Sequence, residues 1–477
     1  MSKNFYITTT LPYVNAEAHV GHAMEFIRAD VIARAKRLAG YDVYYNTGTD
    51  EHGSKVERSA LALGITPQQF VDEASLKFKT LSKLLGVHEE SHFIRTTDKK
   101  HIRAAQAFWT LCKSRGYLYK KNYRIKYCVG CELEKTDSEL VDGKCPLHTS
   151  LKIEEIDEEN YFFKFSEFTK PLLDFYASHP DFVVPAFRFN EIRAFVERGL
   201  MDFSVSRVKS KMSWGVEVPN DPEHVMYVWF DALVSYISTL GWPDDTESFE
   251  KWWVSTGGVV QYCGKDNLRQ QSAMWQAMLM AAGLPNSRQI VVNGFVTGDG
   301  GVKMSKTLGN VINPVEIVKE YGTDALRFFV LREIQPFEDS PFTMDKFKEA
   351  YNAHLANGLG NLVSRVMKMA ETNDIHLDKS VTVDPRKYES MYARYEIGKV
   401  CDDIWERIQN ADKYIQEHSP WKTIKTDKEK GIHEIRFLLG EVAEIGQLLA
   451  PILPETSVKI GQAIQDNKIV SPLFMRK

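Results

Sequence analysis

Cys128, Cys131, Cys145 and His148 follow the pattern C-x2-C-x13-C-x2-H. Two ligand pairs, each on a tight knuckle, can place three thiolates and an imidazole at tetrahedral corners, an arrangement that suits Zn2+. Asp142 and Gly143 offer a turn just before the second pair. Four protein ligands leave no open position, so a zinc held here is structural, pinning an inserted unit that lacks a large core. The bland reading, reduced core cysteines beside a surface histidine, leaves the double knuckle unexplained. Cys112, Cys263 and Cys401 are scattered and read as ordinary thiols.

A second chemistry is anion binding. His19, Val20, Gly21 and His22 follow a short β-rich run and open an amphipathic stretch. A helix N-terminus offers free N–H groups and a positive dipole end. Gly21 allows close approach to the backbone, and histidines three apart share a face from which both can donate to phosphate oxygens. Far downstream, Lys303 and Lys306 flank a Met-Ser pair behind Gly298, Gly300 and Gly301. Two ammonium groups on a glycine-loosened loop can close over a triphosphate and meet the charge that develops as pyrophosphate leaves. Alone, such a loop reads as a solvated basic turn; the two elements in this order, each in an α/β context, favour the joint reading. The stretch at 48–55, GTDEHGSK, only approaches a P-loop, because Ser54 precedes Lys55.

Particular elements must position these groups. FYITTT reads as a strand, Gly21 to Leu38 as a helix with an apolar stripe at Met24, Ile27, Val31, Ala35 and Leu38, and VYYNTGTDEHG as the next strand and loop. Strand, helix, strand at this spacing is a βαβ unit of a parallel sheet. From about Tyr117 to Val225 the chain turns to charge, cysteine and short strands, the mark of an insertion; the α/β pattern resumes at MYVWFDALVSYIS, VVQYCGKDN and QIVVNGFVTGDGG. Asn313, Pro314 and Glu316 read as a cap, first helical position and third. After Pro341 the pattern is almost wholly helical, with a stripe at Leu355, Leu359, Leu362, Val366 and Met369, which implies a helical bundle. The division that follows is 1–116 and 226–340 as two halves of one α/β domain, 117–225 as the insertion, and 341–477 as the bundle.

The 477 residues call for about three domains. A net charge of −4 argues against a general DNA-coating protein but leaves room for a local phosphate surface. No apolar run approaches the ~20 residues that span a bilayer, and MSKNFYITTT carries no signal or presequence pattern, so the reading is a cytoplasmic protein.

HVGH and KMSKT resemble the two signature motifs of the class I aminoacyl-tRNA synthetases. TTLPYVNAEAHVGHA, GTDEHG, YVWFDALVSYIS, GKD and NGFVTGDGGVKMSKTLGN narrow the resemblance to the methionyl-tRNA synthetases, in that family's order and over nearly the whole chain. The resemblance implies a Rossmann-type catalytic domain, a zinc-bearing connective insertion and a helical anticodon-binding domain. It implies ATP, with Mg2+, at His19, Gly21, His22, Lys265, Asp266, Gly294, Lys303 and Lys306. Leu11, Tyr13, Trp229, Ala232, Tyr236, Gln271 and Trp275 correspond to a methionine pocket, and Asp50 to the carboxylate that holds the substrate ammonium. Aromatic walls suit a polarisable thioether, and a carboxylate suits an α-amino group. Leu233 and Gln271 depart from the family, which often has proline and histidine there; glutamine still donates and accepts hydrogen bonds.

Asn357, Asn361 and Arg365 recur at four-residue spacing opposite the leucines, and with Trp421 they match positions that the family uses for the anticodon. Unstacked bases take an aromatic platform and amide or guanidinium groups on their edges. The implied activity is ATP-dependent attachment of methionine to the terminal adenosine of tRNA(Met). The alternatives are another class I specificity, such as cysteine or leucine, or a silent tRNA-binding relative. The gap between the two signatures is short for an editing domain, and no β-barrel follows the bundle, so a monomer is the reading.

Overall fold

The computed structural model describes residues 3–15, 17–131, 133–302, 304, 311–377, 381–384, 386–468 and 472–477. Strand β1 (Lys3–Thr9) is buried from Phe5 onward, as suits a central strand covered on both faces. Helix α1 (Val20–Leu38) buries Met24, Ile27, Val31 and Ala35, whereas Leu38, the last member of the stripe, is exposed. Gly40, at φ +85°, turns the chain into β2 (Tyr41–Thr49). β2 pairs with both β1 and β3 (His92–Arg95), and helix α2 (Lys99–Ser114) follows.

Antiparallel strands β4 (Leu118–Cys128) and β5 (Glu154–Phe163) form the body of the insertion, and β4 ends on the first predicted zinc ligand. The insertion also gives β6 (Val183–Val184) to the main sheet. Two short helices follow its second small sheet; the first, α3 (Val228–Leu233), carries Trp229 and Ala232. Then come β7 (Val260–Gly264), helix α4 (Trp275–Ala282) and β8 (Gln289–Asn293). The main sheet is fully parallel, in the order β3-β2-β1-β7-β8-β6. Strand order reverses between β1 and β7, so the loops at their carboxyl ends diverge and leave a crevice, the usual ligand site of an open α/β sheet.

Asn313 caps the helix Pro314–Tyr321 by accepting from the Val315 N–H at 2.9 Å. Beyond it the chain is helical. Leu355, Leu359, Leu362 and Val366 are fully buried, and they share a core with Ile404, Leu438 and Val442 of the long helices Ile397–His418 and Lys428–Leu448. Arg327 fastens this region to α1: wholly buried, it pairs with Asp30 at 2.9 Å and donates to the carbonyls of Leu85, Pro451 and Ile452. Among the described residues, no helix is long and apolar enough to cross a membrane.

Candidate active site

A cleft of about 450 Å3 opens at the carboxyl ends of β1 and β7. One wall starts at the N-terminus of α1. His19 Nδ1 accepts from the Gly21 N–H at 3.1 Å, and His22 Nδ1 accepts from the His19 N–H at 3.2 Å. The two imidazoles therefore cap their own helix, and their rings stack at 3.9 Å. With each Nδ1 used as an acceptor, each neutral ring carries its proton on Nε2. Burial, and then the neighbouring His19, push His22 well below the ordinary histidine value, so it donates as a neutral ring. Gly21 is required for more than ligand access: a Cβ there would lie 2.9 Å from the His19 ring.

Thr10, Glu25, Gly264, Asp266, Asn293, Gly294 and Phe295 continue this side of the cleft. Gly294 is a point of close approach, where a Cβ would meet the Glu338 carbonyl oxygen at 2.1 Å. Lys265 stands at the rim, not on the wall; it pairs with Asp339 at 2.7 Å and its ammonium lies 4.4 Å from the Phe295 ring centroid. Sequence reasoning missed Glu25. It sits one turn beyond His22, accepts from the Thr10 N–H at 2.5 Å, and is pushed up to about 8, chiefly by burial. An acid on an amphipathic helix reads as solvent-facing, and only the fold turns it into the crevice.

Leu11, Tyr13, Asp50, Trp229, Ala232, Tyr236 and Gln271 line the other side. Asp50 is fixed through its backbone, donating to the Pro12 carbonyl at 2.9 Å and accepting from Val14 at 3.2 Å. Gln271 accepts from Gln261 at 2.8 Å and donates to the Tyr236 hydroxyl at 2.6 Å. Trp275 is not on the wall. It is fully buried behind Tyr236, their ring centroids 6.1 Å apart, and packs on Phe108 and Trp253. The turn Gln270–Met274 is π-wound, which changes the angle between Gln271 and Trp275 from that of an α-helix.

Lys303 and Lys306 lie outside the described residues. Met304 between them, and Val311 beyond, both line the cleft.

Cys128, Cys131, Cys145 and His148 offer ligand atoms that all lie within 4.8 Å of one another. Cys131 Sγ is 3.5 Å from Cys145 Sγ and 3.3 Å from His148 Nδ1; His148 Nδ1 is 3.8 Å from Cys128 Sγ and 3.9 Å from Cys145 Sγ. A tetrahedral zinc with bonds of about 2.0–2.3 Å has ligand–ligand edges of roughly 3.3–3.8 Å, so the donor set fits. Gly130 faces the His148 ring, where a Cβ would approach to 2.3 Å. Lys55 donates to the Gly130 carbonyl at 2.6 Å, and Lys55 and Cys131 both line the cleft, so the knuckle forms part of its rim.

In the helical region Asn357 and Asn361 are exposed, and Arg365 lies with its guanidinium 6.0 Å from the ring centroid of the exposed Trp421. Asp412 holds Arg365 from the other side at 3.2 Å. The structure thus brings two residues 56 positions apart onto one surface.

The family model for class I tRNA synthetases (M) matches residues 5–154 and 149–367, and the model for the anticodon-binding domain of methionyl tRNA ligase matches 367–473. The chain belongs to the methionyl-tRNA synthetase family. A methionine–tRNA ligase of Thermosynechococcus vestitus is 39% identical, with 99% of this chain and 93% of that protein covered. One from Caldanaerobacter subterraneus subsp. tengcongensis is also 39% identical, covering 97% of this chain and 74% of the relative. The Mycobacterium tuberculosis methionyl-tRNA synthetase in complex with methionyl-adenylate superposes with a TM-score of 0.89 at 35% identity, covering 96% of this chain and 93% of the other. The family accounts for the order of elements seen here: parallel-sheet α/β core, cysteine-rich insertion and C-terminal helices.

Proposed function

We propose that this chain is a methionine–tRNA ligase that forms methionyl-adenylate from L-methionine and ATP, then passes the methionyl group to the 3′-terminal adenosine of tRNA(Met). The observation that carries this reading is the two-sided cleft. Phosphate-facing donors occupy one side, and an aromatic pocket with a carboxylate occupies the other.

The nucleophile is the methionine carboxylate, so no protein nucleophile is needed. A carboxylate oxygen attacks the α-phosphorus in line, the bond to the bridging oxygen breaks, and pyrophosphate leaves. Asp50 holds the substrate ammonium; Leu11, Tyr13, Trp229, Ala232, Tyr236 and Gln271 surround the thioether side chain, with Trp275 supporting Tyr236 from behind. The Nε2–H groups of His19 and His22 donate to the phosphates, while Asp266 and Gly294, with Lys265 at the rim, hold the adenosine. Lys303 and Lys306 close over the leaving pyrophosphate. The rate comes from positioning and from cations placed where charge develops. The nucleotide's phosphate oxygens suit a hard cation, and Mg2+ bound with it would offset their charge. In the second step a ribose hydroxyl of the tRNA, the 2′ in this class, attacks the acyl carbon and AMP leaves.

Cys128, Cys131, Cys145 and His148 would hold zinc, which would stiffen the rim that Lys55 contacts through the Gly130 carbonyl. Asn357, Asn361, Arg365 and Trp421 read the anticodon. The domain division remains 1–116 with 226–340, 117–225 and 341–477. The thiolate-rich metal site suits a reducing compartment, and we read the protein as a cytoplasmic monomer.

ATP–pyrophosphate exchange measured with each of the twenty amino acids tests the reading. Methionine should stimulate exchange far above all others. Stimulation by cysteine or leucine instead would overturn the substrate, and no exchange with any amino acid would favour a silent tRNA-binding protein.

A further inference from the structure

Three buried side chains just behind the amino-acid pocket form a connected group that the mechanism above leaves unused. Asp231 lies on α3 between Trp229 and Ala232 and is fully buried. Its Oδ2 is 2.6 Å from His52 Nδ1, and its Oδ1 is 2.6 Å from His101 Nε2. His101, on α2, is fully buried, and its Nδ1 is 2.9 Å from the Ser238 hydroxyl. His52 stands two residues after Asp50, on the segment that follows β2.

This segment is fixed along its length. Glu51 receives both an Arg95 nitrogen pair, at 2.8 and 3.0 Å, and the Thr49 hydroxyl; the Trp214 indole N–H donates to the Glu51 carbonyl at 2.6 Å. Those contacts hold it to β3 and the insertion. The His52–Asp231 pair ties the segment to α3, which carries Trp229 and Ala232 of the pocket wall. A carboxylate with no water around it is costly unless every lone pair is matched. Burial would push the Asp231 carboxyl up, yet the charge and hydrogen bonds of His52 and His101 hold it down to about 2, so it is an ionised acceptor for two rings.

We propose that Asp231 is a positioning residue for amino-acid recognition: with His52 on one oxygen and His101 on the other, it clamps the segment bearing Asp50 to the helix bearing Trp229 and Ala232. The inference rests on the functional reading above, because it takes Asp50 as the partner of the substrate ammonium. The clamp fixes the distance between that carboxylate and the side-chain pocket. An amino acid must satisfy both ends at once, so a loosened clamp weakens methionine binding. ATP, held by the α1 terminus and the β8 end, does not depend on that distance.

The experiment compares His52→Ala, His52→Asn and Asp231→Asn with the wild type. The readouts are separate KM values for methionine and ATP in pyrophosphate exchange, normalised by active-site titration, and L-methionine binding by calorimetry. His52→Ala should raise the methionine KM and Kd about tenfold or more while the ATP KM moves less than about twofold. His52→Asn keeps an N–H at the position of Nδ1, where it can donate to Asp231, and should recover part of the loss. Asp231→Asn, isosteric and fit to fold, accepts from one ring only and should resemble His52→Ala. An unchanged methionine KM in His52→Ala, or equal changes in both KM values with no recovery in His52→Asn, overturns the clamp. Wild-type exchange with methionine, measured alongside, separates this failure from failure of the functional reading.

Discussion

Gly294→Ala is a small change with a large geometric consequence. The added Cβ would stand 2.1 Å from the Glu338 carbonyl oxygen, 2.2 Å from its carbon and 2.8 Å from the Asp339 nitrogen. All three atoms are backbone, so no side-chain rotation relieves the overlap. A carbon and an oxygen in ordinary contact are more than 3 Å apart, so the strand end or the 338–339 segment must move by roughly 1 Å, at a stability cost of about 1–3 kcal/mol. Asp339 would move with it. That residue accepts from the Phe295 N–H at 3.0 Å and from Lys265 at 2.7 Å, so this side of the cleft, the proposed adenosine side, shifts as a group. A misplacement of about 1 Å can cost on the order of 100-fold in rate. Exchange assays on Gly294→Ala should show kcat/KM for ATP lower by about 10- to 100-fold, with methionine binding by calorimetry changed less than about threefold. Wild-type ATP kinetics in a folded Gly294→Ala protein would refute both the close packing and the placement of adenosine beside it.

Glu25 gives a pH dependence of definite sign. Its carboxyl stands at about 8 in the folded chain against an ordinary 4.5, so the unfolded chain ionises first and this group lowers stability as pH rises through that window. Glu25→Gln should gain on the wild type in thermal melts between pH 5.5 and 7.5, by at most about 1.4 kcal/mol per pH unit and less where cleft water screens the side chain; a pH-independent difference would contradict it. Cys145→Ser should reduce zinc content by elemental analysis from one per chain to near none and lower the melting temperature by several degrees; full zinc retention would contradict the ligand set. Trp421→Ala should reduce aminoacylation of tRNA(Met) about 5- to 150-fold, the range of one lost base stack, and leave amino-acid-dependent exchange at the wild-type level; equal loss in both assays would contradict the placement of the anticodon.

Local patterns announced several parts of this site. The knuckle spacing fixes which four side chains can meet, because the two ligands of each pair are only three positions apart. His19 and His22 were legible because a strand followed by an amphipathic stretch defines a helix start, and the start supplies the backbone donors. The leucine stripe and the Asn313 cap are likewise written within one element. The residues that escaped depend on contacts between distant segments. β6 is two residues long and becomes a strand only because β8 offers an edge. Asp231, His52 and His101 lie 179 and 130 positions apart in the chain, and nothing in their local sequence marks them as partners. The family resemblance places Trp275 in the pocket, but the π-wound turn before it and the layer of Tyr236 put it behind the wall.

The central claim is that the paired imidazoles of α1 and the lysines of the 303–307 segment act on one triphosphate in this cleft. A crystal structure of the chain with methionine and a non-hydrolysable ATP analogue tests it most directly. The phosphates should lie against the Nε2 atoms of His19 and His22, with Lys303 and Lys306 over the β- and γ-phosphates and the methionine ammonium on Asp50. Phosphates bound elsewhere, or lysines facing a different cavity while the nucleotide occupies the cleft, would contradict the account.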